Sequence, residues 1–300
     1  MICARAPAPG LEHLVFAGGR RLGFREIGCT TGFPVLSFHG GLSCSSEMLF
    51  AEQICRDLGV RLIAVDRPGI GGSDLLPGRR LLDWPDDVAA LADGLDLGPF
   101  AVFGWSAGGP YALACGFALP DRVTRVGCAA GMAPLDGPGG VAELGLWADR
   151  LLFPLCRRTP RLGGLLLATT RLRSARSIWK SLLASLAATG DPDRELLASV
   201  SVEAIAGPLL ESLASGGFGT AWDYRLLGSP WGFDLGEVRA ETLVWQGAED
   251  GLVPRAHAER LARELPRARL AILPGHGHFL PRRALPRLLS ELRAPAGRAG

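Results

Sequence analysis

Val102-Phe103-Gly104-Trp105-Ser106-Ala107-Gly108-Gly109-Pro110-Tyr111-Ala112-Leu113-Ala114 is the stretch on which the fold turns. A short apolar run, residues 100–103, meets a serine set among glycines and passes directly into a helical pattern of small residues. This reads as strand, sharp turn and helix. Gly104-Trp105-Ser106-Ala107-Gly108 fits G-x-S-x-G, a turn so tight that only glycines fit on either side and the serine backbone is strained. Such a turn lifts Ser106 Oγ clear of the sheet. The unpaired N–H groups at the helix start, that of Ala107 among them, can then face a developing negative charge.

Outside this stretch, composition narrows the choices. Three hundred residues, 48% of them hydrophobic, suffice for one large α/β domain with a generous core, or for a core plus an inserted lid. The formal net charge is +2, and no basic run is interleaved with aromatics, which argues against a nucleic-acid partner. Lys180 is the only lysine. Seven scattered cysteines without a C-x-x-C pair are expected to be reduced, mostly buried small apolar residues of a cytosolic protein. Residues 1–10, rich in Pro and Ala, are expected to be a loose tail, and their apolar run is too short to predict a signal peptide. No apolar stretch reaches the roughly 18 residues of a membrane span. The expectation is a cytoplasmic protein.

Taken in order, residues 14–16 and 22–27 predict an antiparallel hairpin, and residues 34–38 a buried strand ending in His39-Gly40-Gly41. Residues 47–58 predict a helix, and residues 61–65 a strand running into Asp66-Arg67-Pro68-Gly69-Ile70-Gly71-Gly72-Ser73-Asp74. Asp66 and Arg67 are expected to set loop geometry rather than to react. Residues 83–95 predict a helix with Asp83 as N-cap, and residues 123–129 another strand. Apolar runs alternating with helical patterns argue for a doubly wound, mostly parallel sheet.

From residue 133 to 236 the rhythm breaks into leucine-rich helical patterns, predicting a helical lid inserted into a core of residues 11–132 and 237–300. From Arg150 to Lys180 there are eight basic residues and no acidic one. Either this face meets lipid or anions, or it is solvated and its acids lie elsewhere in space. Trp222, Tyr224, Trp231 and Phe233 either wall an apolar pocket or pack the lid onto the core.

Residues 241–245 resume as a strand before Gln246-Gly247-Ala248-Glu249-Asp250-Gly251-Leu252-Val253-Pro254. An acid in such a loop can orient a histidine and stabilise its cation, Asp250 being preferred to Glu249. After a helix at 257–265 and a last strand at 269–273 comes Pro274-Gly275-His276-Gly277-His278-Phe279-Leu280. A histidine here can swing over the carboxyl edge of the sheet, where ligands bind in open α/β folds. His278 is the first candidate and His276 its competitor. The five histidines lack the spacing of a zinc motif, and neither metal nor cofactor is expected.

With serine, acid and histidine in that order, the chain resembles the α/β-hydrolase superfamily over residues 14–295, most closely its lidded esterase-like members. The resemblance rests on His39-Gly40-Gly41, the Asp66 to Ser73 loop, the Ser106 turn, the Gly247 to Pro254 loop and Gly275 to Phe279. It implies Ser106 as nucleophile, His278 as general base and Asp250 as acid, with Asp136 a distant second for the acid. It also implies an oxyanion hole from the N–H groups of Ala107 and Gly41, Leu42 being the second choice to Gly41. His39 is expected to orient its loop. Leu42, Trp105 and Trp222 are the expected substrate contacts. The implied activity is hydrolysis of a small to medium apolar ester or related acyl compound through an acyl-enzyme. The alternatives are an acyltransferase, a haloperoxidase-like enzyme, a C–C bond hydrolase, or a non-catalytic ligand-binding protein on the same scaffold.

Overall fold

The structure, a computed structural model, describes residues 9–137, 140–186 and 191–294. Eight strands form one sheet: β1 (Glu12–Val15), β2 (Arg21–Gly28), β3 (Phe33–Phe38), β4 (Val60–Val65), β5 (Phe100–Trp105), β6 (Val123–Ala129), β7 (Glu241–Gly247) and β8 (Ala268–Leu273). Their order is β1-β2-β4-β3-β5-β6-β7-β8. β2 pairs antiparallel with β1 and β4, and every other pairing is parallel. This is the mostly parallel α/β sheet that the alternating pattern predicts.

Residues on each strand alternate between two cores, as the period of two requires. On β5, Phe100 and Val102 point into one cluster, whereas Ala101, Phe103 and Trp105 point into the other. Among the helices before β6, α1 (Glu52–Leu58) serves the second cluster, and α2 (Trp84–Gly94) and α3 (Gly109–Ala118) the first. Between β6 and β7 lie α4 (Trp147–Arg158), α5 (Pro160–Ala168), α6 (Ala175–Leu186), α7 (Asp191–Ser199), α8 (Val202–Ser212) and α9 (Phe218–Leu227). α10 (Arg255–Glu264) joins α2 and α3, while α11 (Pro281–Arg293) joins α1. α11 buries Leu285, Leu288, Leu289 and Leu292 on one stripe, each stabilising by about 1.5–3 kcal/mol.

Three local expectations are corrected. Residues 45–51 form a 3-10 helix, and α1 begins only at Glu52. The Asp66 carboxylate accepts the Ser45 N–H at 2.6 Å and Glu47 turns inward to the Gly40 N–H, so tertiary bonds set the geometry of this turn. Asp83 occupies the N-cap position of α2 but its side chain makes no capping bond there; its carboxylate instead accepts the Arg80 N–H at 2.7 Å. Cys29 is disulfide-bonded, against the expectation that every cysteine is reduced. Cys44, Cys55, Cys115, Cys128 and Cys156 are free and buried, and Cys3 lies outside the described residues. No helix among the described residues is long and apolar enough to cross a membrane.

Candidate active site

The sheet brings the site residues to one edge. Gly41 follows β3, Ser106 follows β5, Asp250 follows β7 and His278 follows β8, all at carboxyl ends of parallel strands. β4 lies on one side of β3 and β5 on the other, so the crevice opens where the strand order reverses.

Ser106 has φ 54°, a left-handed conformation that costs an L-residue energy. Its glycine neighbours explain how the turn closes. A Cβ at Gly104 would stand 2.3 Å from the Gly108 carbonyl oxygen, and one at Gly108 2.1 Å from that of Phe38. Leu42, at φ 52°, is likewise left-handed, so two strained non-glycine residues flank the same crevice.

His278 Nδ1 donates to Asp250 Oδ2 at 3.0 Å, and both side chains are buried. Asp250 is held in turn by the Leu252 and Val253 N–H groups, at 2.8 and 3.0 Å, and by the Gln246 amide at 2.9 Å. Burial alone would lower the His278 pKa. Asp250 outweighs it, with help from Asp193 and Asp149, and the imidazole is raised above its ordinary value. No hydrogen bond joins Ser106 to His278 here; such contacts commonly tighten only with substrate in place.

Ser106, His278, Gly41 and Ala107 line one cavity of about 200 Å³, together with Leu42, Trp105 and side chains from α4, α8 and α9. Trp105 also donates its indole N–H to the His278 carbonyl at 2.9 Å. Trp222 is not among the lining residues: its indole N–H turns to the Arg79 carbonyl at 2.9 Å, while Asp223 and Tyr224 line the cavity from the same helix. Trp231 and Phe233 pack into the core, Phe233 stacking on Phe117. Asp136 is exposed, and the partner of His278 is Asp250. Glu249 accepts the His276 N–H, and the His276 ring turns to the Pro274 carbonyl. Among the described residues no cluster of three or more His, Cys, Asp or Glu side chains is placed to hold a metal.

Several residues that bear on the site carry no sequence motif. Asp193 of α7, buried, accepts the N–H groups of His278 and Phe279 at 2.6 and 2.9 Å. Glu47, also buried, receives the Gly40 N–H, and burial pushes its carboxyl up to about 7. Behind the Gly41 loop, Arg67 donates to the carbonyls of His39 and Gly40 and to Asp223, which also binds Arg79 and Tyr111. Burial pushes the Asp223 carboxyl up, but the two guanidiniums outweigh it and pull it down to about 2. His39 accepts the Arg67 N–H and is held neutral by burial, the loop-orienting role expected of it. Asp66 likewise ties loops together, through Ser45 and Gly72.

Residues 34–281 match the family model described as alpha/beta hydrolase fold. The chain belongs to this family. Among curated members, a 2-hydroxy-6-oxo-6-phenylhexa-2,4-dienoate hydrolase from Burkholderia cepacia is 30% identical to this alpha/beta hydrolase over 229 residues, 74% of this chain and 71% of that one. Among solved structures, an esterase from Exiguobacterium antarcticum is similar with a TM-score of 0.70 at 20% identity, covering 94% and 99% of the two chains. Epoxide Hydrolase A from Mycobacterium thermoresistibile has a TM-score of 0.72 at 19% identity, covering 95% and 98%. At these identities the structures share the alpha/beta hydrolase fold and nothing narrower.

Proposed function

We propose that this alpha/beta hydrolase is a serine hydrolase that cleaves a small to medium apolar ester, or a related acyl compound, through an acyl-enzyme. One observation carries the reading: Ser106, the His278–Asp250 pair and the loops bearing the Gly41 and Ala107 N–H groups converge on a single, mainly apolar cavity. His278 takes the Ser106 proton as Oγ attacks the carbonyl carbon. The Gly41 and Ala107 N–H groups stabilise the resulting oxyanion, the tetrahedral intermediate expels the alcohol protonated by His278, and water activated by His278 releases the acid. Residues 133–236 act as the lid that closes this cavity. Leu42 and Trp105 contact the substrate.

A C–C bond hydrolase is the second reading. The Burkholderia relative is named for a dienoate, a carboxylate, and Arg282 lines the cavity with its Nε buried and unpartnered. A guanidinium so placed suits a carboxylate substrate.

Labelling with a small fluorophosphonate, read by peptide mass, tests the nucleophile: it should modify Ser106 and vanish in Ser106→Ala. Failure to label a folded sample would move the assignment to a ligand-binding protein. Turnover of p-nitrophenyl esters of rising chain length, set against loss of dienoate absorbance, separates the two chemistries. If the second holds, Arg282→Met should lose the dienoate and retain the esters.

A further inference from the structure

All eight basic residues from Arg150 to Lys180 are exposed, and among the described residues none of them forms an ion pair. Among the described residues, no acid is paired with this cationic run. Residues 147–180 hold Trp147, Leu151, Leu162, Leu165, Leu166 and Leu172, six of the twelve exposed large apolar side chains among the described residues. Scattered exposed leucines are ordinary, but such concentration in one helical region marks an interaction surface.

Packing leaves α5 no other orientation. A Cβ at Gly163 would stand 2.4 Å from Cys156 Sγ of α4, and one at Gly164 2.7 Å from the Phe218 ring of α9. The glycine face must point inward, which turns Leu162, Leu165 and Leu166, at i, i+3 and i+4, to the outside. α4 behaves alike: Phe153 and Cys156 are buried, while Trp147 and Leu151 stand out one turn apart.

We propose that the α4–α5 face and the adjoining chain to Lys180 dock on an anionic lipid surface. The leucines enter the acyl boundary, and the arginines pair with lipid phosphates through bidentate hydrogen bonds. Nucleic acid would engage the cations but leave the leucines without a role. A second copy would set eight cations against eight. The site chemistry proposed above is not needed for this inference.

The test is co-sedimentation of the full chain with phosphatidylcholine vesicles, with and without phosphatidylglycerol. Binding should require phosphatidylglycerol and weaken with salt. Arg157→Gln/Arg158→Gln/Arg161→Gln should lower partitioning roughly a hundredfold, at about fivefold per cation. Leu162→Ser/Leu165→Ser/Leu166→Ser should lower it at least about tenfold. Unchanged thermal unfolding and fluorophosphonate labelling of both variants show that the fold and the Ser106 site persist. Absence of vesicle binding by folded protein overturns the proposal. So does loss on arginine but not leucine substitution, which would mean charge adsorption alone, and so does duplex DNA binding more tightly than the vesicles.

Discussion

The Asp193 carboxylate, on α7, accepts the backbone N–H of His278 at 2.6 Å and that of Phe279 at 2.9 Å, tying the helical segment between β6 and β7 to the histidine loop. Trp105 holds the same loop from the other side through the His278 carbonyl. The imidazole is thus positioned through its backbone as well as through Asp250. Asp193→Ala should lower kcat/KM on the order of 10²-fold, the scale of a 1 Å misplacement, with KM changing less. Amide hydrogen exchange at His278 and Phe279 should quicken. A merely structural Asp193 would lower the melting temperature and leave the kinetics of the folded fraction intact.

Gly277 makes the same contact testable from the other partner. A Cβ there would stand 2.3 Å from the Asp193 carboxylate, which could move aside only by giving up its two N–H groups. Gly277→Ala should therefore reproduce the defect of Asp193→Ala, and the double variant should be no worse than either single one. Additive losses would show the two residues acting separately.

The pH profile has a defined sign. In the proposed mechanism His278 must be neutral to accept the Ser106 proton, and its pKa is raised above 6.5 because Asp250, then Asp193 and Asp149, outweigh burial. kcat/KM should therefore rise with pH through a limb centred above 6.5, and Asp193→Asn or Asp149→Asn should move that limb down. Stability carries the opposite sign: the raised folded pKa contributes stability that is full below the unfolded value and lost as pH rises through the folded one. A wild-type limb at or below 6.5 contradicts this assignment.

Asp250→Asn should leave the fold in place but cost roughly 10⁴ in kcat, since the amide no longer stabilises the imidazolium and favours the wrong tautomer. Ester turnover measured beside circular dichroism decides it. An effect under tenfold would show that Asp250 is not the acid.

Asp223→Ala leaves Arg67 and Arg79 buried around an empty position. Breaking such a network by one partner costs about 3–5 kcal/mol. Denaturant unfolding should show that loss, and Asp223→Asn, which keeps the shape and an acceptor, should lose less.

Much of this molecule was legible residue by residue. The Ser106 turn could be read because the glycines that close it adjoin it in sequence, and the strands because buried parallel strands read as apolar runs. Asp250 and His278 sit in loops beside such strands, so their places on the sheet edge followed from the alternation. Trp222 went astray because neighbours on a helix point about 100° apart, and helix phase turned Asp223 and Tyr224 into the cavity instead.

The amino-acid sequence by itself determined the alternating sheet, the strained serine turn and the order of serine, acid and histidine, since each rests on sterics and hydrophobicity within a few residues. Only the tertiary structure decided that Asp193 holds His278 across 85 residues of chain, that Glu47 braces the Gly40 loop, and that the basic residues from Arg150 to Lys180 stand exposed. Those are contacts of buried carboxylates and exposed faces, and the packing of distant helices creates them.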